Sequence, residues 1–238
     1  MGKLKEELLK LRQNLDAIYA AGKASAGDEN YYDTFWNTFQ DDGNRSLYAY
    51  AFASGHYTPK GWNDTNFKPK YNMQPTSADY MFYYANVSDI NECLERAGVT
   101  IDFSKCTTFG DMLNNCATTT FPPIDLSSAN SLTNIFRYAK QIKKIELRNV
   151  KSTLEWGVNA FAVCSELAEL YIVSGTIGTS LYLGVCSKLT TESVQSIINA
   201  LADLTGGTSK TLTLHATVKN KLTDEQKAQI TSKNWTLA

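Results

Sequence analysis

The chain has little of the chemistry that most enzymes use. It contains only two histidines, His56 and His215, far apart in sequence. It has no His-Glu-x-x-His, no Gly-x-Ser-x-Gly and no glycine-rich phosphate loop followed by Lys-Ser or Lys-Thr, the patterns of zinc proteases, serine hydrolases and P-loop proteins. Asp41 and Asp42 are adjacent carboxylates, but they lie in a predicted turn, where solvation explains them. The sequence therefore predicts no catalytic residue, no cofactor site and no metal site.

An excess of charge and long hydrophobic runs are also absent. The formal net charge is -1, so no overall field attracts nucleic acid or an anionic membrane. No segment approaches the roughly 18 apolar residues that a membrane helix needs. The N-terminus is charged and lacks the apolar run of a secretory signal. We expect no nucleic-acid partner, no membrane insertion and no secretory signal in this sequence.

A repeated pattern runs through residues 100–173. Each copy begins with an apolar-x-apolar triplet, and the triplets start at Ile101, Ile124, Ile145 and Leu170. The starts are 23, 21 and 25 residues apart, a period typical of one turn of a solenoid. Each triplet alternates as a short strand with one buried face. Stacked copies would pair the triplets at 101–103, 124–126, 145–147 and 170–172 as one parallel sheet.

An apolar pair and a small residue follow each of the first three triplets and are expected to form the other wall of the solenoid. The small residues are Cys116, Ala139 and Cys164. A Cys or Ala suits a place where the chain turns inward and space is limited. The five cysteines are odd in number, widely spaced and without a Cys-x-x-Cys pair, so we expect buried free thiols rather than disulfides or metal ligands.

The fold class that follows is α/β: a short leucine-rich-repeat-type solenoid with a parallel sheet, preceded and followed by other elements. Composition divides the chain into four segments. They are an amphipathic coiled-coil helix and hinge at 1–27, an aromatic-rich helical N-terminal cap at 28–79, the solenoid at 80–185 and an α/β C-terminal cap at 186–238.

Strands and helices are expected to alternate near the C-terminus. Strands are predicted at 181–183, 211–218 and 235–237, and an amphipathic helix at 189–204, capped by Thr190 or Thr191. Thr223 and Gln226 form a capping-box pattern that opens the last helix. His215 falls within the second of these strands, as an exposed or edge residue.

The N-terminal segment predicts association between chains. Its apolar residues step by four and three, which is the a/d seam of a coiled coil. They are Leu4, Leu8, Leu11, Leu15 and Ile18. A helix of this length is marginal alone, so it needs a partner. We expect a homo-oligomer, with a trimer favoured, or contact with other proteins of an assembly. Packing of the helix onto its own chain stays the alternative.

Two groups of residues are candidates for a ligand-binding surface. The first is the outward carboxylates Asp102, Asp125 and Glu146, which would stack strand over strand about 4.8 Å apart and repel one another. Neighbouring basic residues, Arg148 among them, are expected to offset the repulsion, although a bound cation is an alternative. The sequence also has a basic cluster around Glu146. It comprises Arg137, Lys140, Lys143, Lys144, Arg148 and Lys151.

The second group is aromatic. Tyr57, Trp62 and Phe67 lie in a predicted loop, and loops are on the surface. Aromatic faces stack on pyranose rings, so a sugar-binding platform is one interpretation of the aromatic-rich segment. The other interpretation, which we favour for the segment as a whole, is a cap that covers the open end of the repeats.

The repeats resemble a known family. Ile124-Asp125-Leu126-Ser127, the elements Phe136-x-x-Ala139 and Phe161-x-x-Cys164, and the period are similar to BspA-like leucine-rich repeats of bacterial surface proteins and phages of gut bacteria. The longer Leu-x-x-Leu-x-Leu core with its Asn is missing. Further segments resemble phage or prophage structural proteins that carry such repeats. They are Tyr32-Asp33-x-Phe35-Trp36, Gly43-Asn44-Arg45, Phe67-x-Pro69-Lys70-Tyr71 and Ser232-Lys233-Asn234-Trp235-Thr236.

The resemblance implies a non-enzymatic virion protein of the tail, fibre or capsid, assembled in the bacterial cytoplasm. Its repeat surface would recognise a protein or a host-surface glycan. The alternative is a secreted or cell-surface bacterial adhesin of the same repeat family. An enzyme that carries the repeats as a recognition module would need a catalytic cluster, and the sequence offers none.

Overall fold

The computed structural model of the chain describes residues 71–85, 87–97, 99–157 and 159–238. Within these ranges the chain is a mixture of short strands and helices. The strands are β1 (Tyr71–Met73), β2 (Val99–Ile101), β3 (Ile124–Asp125), β4 (Lys144–Arg148), β5 (Glu169–Ile172), β6 (Leu181–Leu183), β7 (Lys210–Leu214) and β8 (Trp235–Leu237). The helices are α1 (Ile90–Ala97), α2 (Thr191–Ala200), α3 (Ala216–Lys219) and α4 (Asp224–Ser232). The expected N-terminal helix and residues 28–70 of the expected cap lie outside the described residues.

The described strands form three small parallel sheets. Their orders are β1-β2, β3-β4-β5 and β6-β7-β8. In β4 the buried residues Ile145 and Leu147 alternate with more exposed neighbours, which is the period of two expected for a strand with one covered face. The prediction of a mixed α/β fold with parallel pairing is therefore confirmed.

The register between copies differs from one pair of strands to the next. Ile145 lies opposite Leu170, as the repeat alignment predicts. Ile124, by contrast, lies opposite Leu147 rather than Ile145. The shift is two residues, so it preserves which side chains face the core, because side chains alternate with a period of two.

The first copy does not join the sheet of the others, so the prediction of one sheet with four triplets is wrong. β2 ends at Ile101 and pairs with β1. Asp102 follows, and its side chain accepts a hydrogen bond from the backbone nitrogen of Ser104 at 2.9 Å. This short-range bond opens a 3-10 turn, Phe103–Lys105, because Asp side chains compete with strand ladders for the backbone. Phe103 still lies in the core, at 1% exposure.

A second set of backbone hydrogen bonds joins successive copies after the strands. Leu113 N donates to Ile135 O at 2.8 Å, and Phe136 N donates to Ala160 O at 2.9 Å. The apolar pairs that the repeat predicts are buried. They are Met112 and Leu113, Ile135 and Phe136, and Ala160 and Phe161. The small residues Cys116, Ala139 and Cys164 are buried beside them, so the predicted burial of this part of each copy is confirmed.

The C-terminal elements match their predictions closely. Thr190 caps α2, and Thr223 and Gln226 form the predicted capping box at the start of α4. The largest differences are at the ends of α2 and β7. α2 ends at Ala200 rather than at residue 204. β7 ends at Leu214, because the Nδ1 of His215 accepts from the backbone nitrogen of Thr217 at 3.2 Å and starts α3 instead.

Three consecutive residues near the C-terminus hold the end of α2 and the chain that follows it. Lys233 Nζ donates to carbonyl oxygens of the last turn of α2 at 2.9 and 3.2 Å, and to that of Leu201 at 2.8 Å. Asn234 Nδ2 and Trp235 Nε1 donate to carbonyl oxygens within 202–207, at 3.0 and 2.9 Å. The helix carbonyls that lack intrahelical partners are thereby satisfied.

One hydrophobic core runs through the described chain, from Ala78 to Trp235. Its aromatic part includes Phe136 and Phe161, whose rings stack with centroids 5.4 Å apart. The core thus continues from the repeats into the C-terminal elements. None of the described helices has the length and apolar character needed to cross a membrane.

Candidate binding surface

The described chain offers no cluster of reactive side chains. No three His, Cys, Asp or Glu residues within 71–85, 87–97, 99–157 and 159–238 come together as metal ligands could. His215 is occupied as a helix cap. The remaining candidates for a functional site in the described chain are exposed surfaces that carry several polar side chains.

The outer face of the sheet β3-β4-β5 is such a surface, and we call it the outer sheet face. It consists of Asp125, Lys144, Glu146, Arg148, Glu169 and Tyr171. The strand register places Asp125 opposite Arg148, Glu146 opposite Tyr171, and Lys144 opposite Glu169. Acidic residues therefore lie opposite basic or aromatic residues across each strand pair.

This arrangement corrects the predicted column of carboxylates. Asp102 is outside this sheet, and the two-residue shift between β3 and β4 moves Glu146 away from Asp125. A basic side chain, Arg148, takes the position opposite Asp125. Like charges directly opposite one another destabilise a sheet, so the observed register removes a repulsion that the simple alignment would create.

The two ion pairs of the face lie at its surface. Arg148 donates through Nε and Nη2 to Glu146 Oε1, at 2.8 and 2.6 Å. Lys144 Nζ lies 3.3 Å from Glu169 Oε2. Exposed pairs of this kind contribute about 0–1 kcal/mol to stability. They favour the paired positions of the four side chains on the surface.

Neutral donors hold the other two predicted carboxylates, which corrects the expectation that Lys and Arg would. Asp102 accepts from Gln74 Nε2 at 2.8 Å as well as from Ser104. The hydrogen bonds from Ser104 lower the pKa of Asp102 below its ordinary value. Asp125 accepts from Ser127 N and from Asn149 Nδ2, each at 2.8 Å.

The predicted basic cluster disperses in the structure. Of its members, Arg148 pairs with Glu146, whereas Lys144 pairs with Glu169 in the next strand. The guanidinium of Arg137 lies over the ring of Tyr138, 4.8 Å from its centroid. The cluster is therefore not one site. The predicted aromatic residues Tyr57, Trp62 and Phe67, and the seam residues Leu4, Leu8, Leu11, Leu15 and Ile18, lie outside the described residues.

A groove adjoins the outer sheet face where α2 packs beside β5. We call it the α2 groove, and its volume is about 500 Å³. It is lined by Tyr171, Thr191, Glu192, Gln195, Ser196, Asn199 and Gln226. Tyr171 belongs to both surfaces, and Lys144 Nζ lies over its ring, 5.6 Å from the centroid.

Sequence reasoning missed the α2 groove, although a signal for it exists. Once the buried face of α2 is assigned, Glu192, Gln195 and Asn199 follow at helical spacing on the opposite face. A run of one carboxylate and two amides at i, i+3 and i+7 forms a single stripe. That stripe indicates a polar surface, but nothing in the sequence places Tyr171 or Gln226 beside it.

The thiols take no part in these surfaces. Cys106, Cys116, Cys164 and Cys186 are free and buried, which confirms the prediction for Cys116 and Cys164. Cys164 Sγ donates to the carbonyl oxygen of Phe136 at 3.0 Å. Burial raises the pKa of Cys116 to about 12, so its thiol stays protonated and unreactive at neutral pH.

The outer sheet face and the α2 groove adjoin one another at Tyr171, which belongs to both. Comparison of the chain with known proteins finds no matching family model, no matching curated protein and no matching solved structure.

Proposed function

We propose that the protein is a non-enzymatic binding protein built on a leucine-rich-repeat-type solenoid, and that it is a structural component of a phage or prophage virion. In this proposal the repeats stack through the two sets of parallel contacts described above. The outer sheet face and the α2 groove are the surface presented to a protein or to the host cell. The N-terminal segment joins the chain to its own copies or to other virion proteins.

The arrangement of the outer sheet face carries the proposal. Four of its five charged side chains form ion pairs at the surface, and among the described residues none of them belongs to a reactive cluster. Such a face presents both signs of charge and an aromatic ring, Tyr171, on a stiff sheet. A rigid scaffold with fixed polar groups favours recognition, because little conformational entropy is lost on binding. The virion context is supported by the resemblance of the repeat and tail segments to phage structural proteins.

Fractionation of phage particles tests the virion part. Particles induced from a strain that carries the gene should be banded in a density gradient and probed with an antibody against the protein. We expect the protein in the particle band and its loss from particles of a deletion strain. Recovery from the cell surface or culture medium, with none in the particle band, would instead assign it as an adhesin.

Charge reversal on the outer sheet face tests the binding part. The double variant Lys144→Glu and Arg148→Glu breaks both ion pairs of the face and changes its charge. We expect it to bind host cells at least about tenfold more weakly than the parent, since about 1.4 kcal/mol of lost interaction gives that factor. Lys219→Glu with Lys221→Glu, near α3, is the matched control and should bind as the parent does. Equal binding by both double variants would contradict the assignment of this face.

A further inference from the structure

The α2 groove contains a chain of side-chain amides whose orientation is fixed from one end. Gln226 is buried, at 6% exposure, and its Oε1 accepts from the backbone nitrogen of Thr223 at 3.1 Å as half of the capping box. Its Nε2 is therefore directed away from the cap and donates to Gln195 Oε1 at 3.0 Å. The capping box thus determines that Gln226 directs its amide nitrogen, and not its oxygen, toward Gln195.

The chain of amide hydrogen bonds continues to the exposed end of the groove, at Asn199. Gln195 Nε2 donates to Asn199 Oδ1 at 2.8 Å, and also to Gln229 Oε1 at 3.0 Å. Because the oxygen of Asn199 faces Gln195 in this way, its Nδ2 is directed away from Gln195. An amide nitrogen carries two donor hydrogens. Asn199 is exposed, so these donors are available to a ligand.

An acceptor and an aromatic ring complete the groove. Glu192 is exposed and lies about two helical turns before Asn199 on the same face of α2, and it is the one charged residue among those that line the groove. Tyr171 is half-buried on β5. Since Lys144 lies against one face of its ring, Tyr171 contributes its other face or its hydroxyl edge to the groove.

The chemistry of this set excludes some ligands and favours others. The carboxylate of Glu192 repels anionic ligands such as nucleic acid or sulfated and sialylated glycans. A purely apolar ligand would cover the Asn199 amide nitrogen and the Glu192 carboxylate without bonding to them, which costs binding energy. A sugar ring carries vicinal hydroxyls that both donate and accept, together with C–H faces that pack against an aromatic ring.

We propose that the α2 groove binds a neutral oligosaccharide. Asn199 Nδ2 donates to a hydroxyl of one sugar unit, Glu192 accepts from a hydroxyl of another unit of the same oligosaccharide, and Tyr171 packs against a sugar ring. Because the capping box orients the amides beforehand, the sugar meets donors that are already in place. This inference rests on the proposed binding role, but it does not depend on whether the protein belongs to a virion or to a cell surface.

The test uses the full chain on an array of immobilised neutral, sialylated and sulfated oligosaccharides. Tyr171→Ala removes the ring, and Asn199→Asp removes the donor hydrogens while keeping an acceptor for Gln195. Tyr182→Ala is the matched control, because Tyr182 is an exposed tyrosine on β6, outside the groove. Thermal melting of each variant should show that the fold is intact before binding is compared.

We expect binding to neutral oligosaccharides that weakens at least about tenfold in both groove variants and is unchanged in Tyr182→Ala. Three results would overturn the proposal: binding to acidic glycans alone, no glycan binding at millimolar concentration, or neutral-glycan binding that survives both groove substitutions. The cell-binding assay with the outer-face charge variants distinguishes an error in the sugar proposal from an error in the proposed function. Cell binding that is lost in the charge variants but kept in Tyr171→Ala and Asn199→Asp would leave the binding role standing and remove the sugar.

Discussion

Ser193 and Leu170 exchange two hydrogen bonds across the edge of the sheet β3-β4-β5. The side-chain oxygen of Ser193, in α2, accepts from Leu170 N at 2.8 Å and donates to Leu170 O at 3.0 Å. One hydroxyl thus satisfies both backbone groups that another strand would otherwise pair. Ser196, three residues along, accepts from Ile172 N at 3.0 Å. A helix therefore closes the edge of the sheet, which protects it from pairing with other chains.

Replacement of Ser193 by Ala should destabilise the protein. Ser193 is fully buried, so the substitution leaves the amide and carbonyl of Leu170 without partners and without access to water. The loss of a buried partner of this kind costs about 1–3 kcal/mol. Urea denaturation followed by circular dichroism measures the change. Ser196→Ala is the control and should cost less, because Ser196 is only half-buried and water can replace its hydroxyl.

Lys233→Met should also lower stability, through α2. The substitution keeps an unbranched side chain but removes the ammonium group that donates to three carbonyl oxygens at the end of the helix. A cation at a helix C-terminus contributes about 0.3–2 kcal/mol, and we expect a loss in the upper part of that range. Lys227→Met is the control, since Lys227 makes an exposed pair with Asp224 at 3.5 Å. Equal melting temperatures for the two variants would refute the role assigned to Lys233.

The sequence predicts local features of this fold better than it predicts register. The capping box of Thr223 and Gln226 is visible in four residues, and the structure has it. The pairing of Ile124 with Leu147 depends on which cross-strand neighbours Asp125 and Glu146 receive, and no short stretch contains that information. Turn positions show the same limit. Asn115 has φ +54 and Tyr138 has φ +58 at equivalent places, yet only Asn signals a left-handed conformation.

The candidate surface is likewise only partly predictable from the sequence. Glu146 can be identified from the sequence because it lies between the two buried residues of its triplet, and Arg148 because it is a basic residue close to it in sequence. The α2 groove cannot, because its residues come from β5, α2 and α4. Tyr171 and Gln226 meet α2 only through tertiary packing, and a helical stripe of polar residues alone is usually a solvated face.

The buried cysteines should resist labelling in the folded protein. Burial raises the pKa of Cys106, Cys116 and Cys186 to about 12, and that of Cys164 well above its ordinary value. A raised pKa means that the thiolate, which is the reactive form, is scarce until the pH is strongly alkaline. In a Cys93→Ser variant at pH near 8, maleimide should add nothing by mass spectrometry until denaturant is present. Reduction should leave the mass unchanged, and a reducible bridge at Cys116 or Cys164 would contradict the assignment.

Removal of divalent cations should leave the melting temperature unchanged. Asp102 and Asp125 are held by amide and backbone donors, and Glu146 is held by Arg148. Any cation bound to the folded state would raise stability by mass action, so its removal would lower the melting temperature. Differential scanning calorimetry with and without a chelator makes the comparison. A clear drop on chelation, reversed by added calcium, would show that a cation holds these carboxylates instead.

The N-terminal seam is expected to mediate assembly of the chain with its own copies. Leu4, Leu8, Leu11, Leu15 and Ile18 have the spacing of a coiled coil over about two and a half heptads, so we expect weak association of the full chain, with a trimer favoured. Light scattering at increasing concentration should show a rising mass. The full-length double variant Leu8→Asp and Leu15→Asp should stay monomeric, because charges at seam positions prevent close packing of the helices.

Substitutions at the seam and away from it distinguish association between chains from packing of the helix against its own chain. Lys3→Asp with Lys10→Asp changes charge on the side of the helix away from the seam and should leave association intact. If the parent is monomeric at every concentration and the seam variant melts at a lower temperature, the helix packs against its own chain and the oligomer hypothesis fails. If the seam variant loses association but melts as the parent does, the stripe serves contact between chains, as the spacing of its leucines predicts.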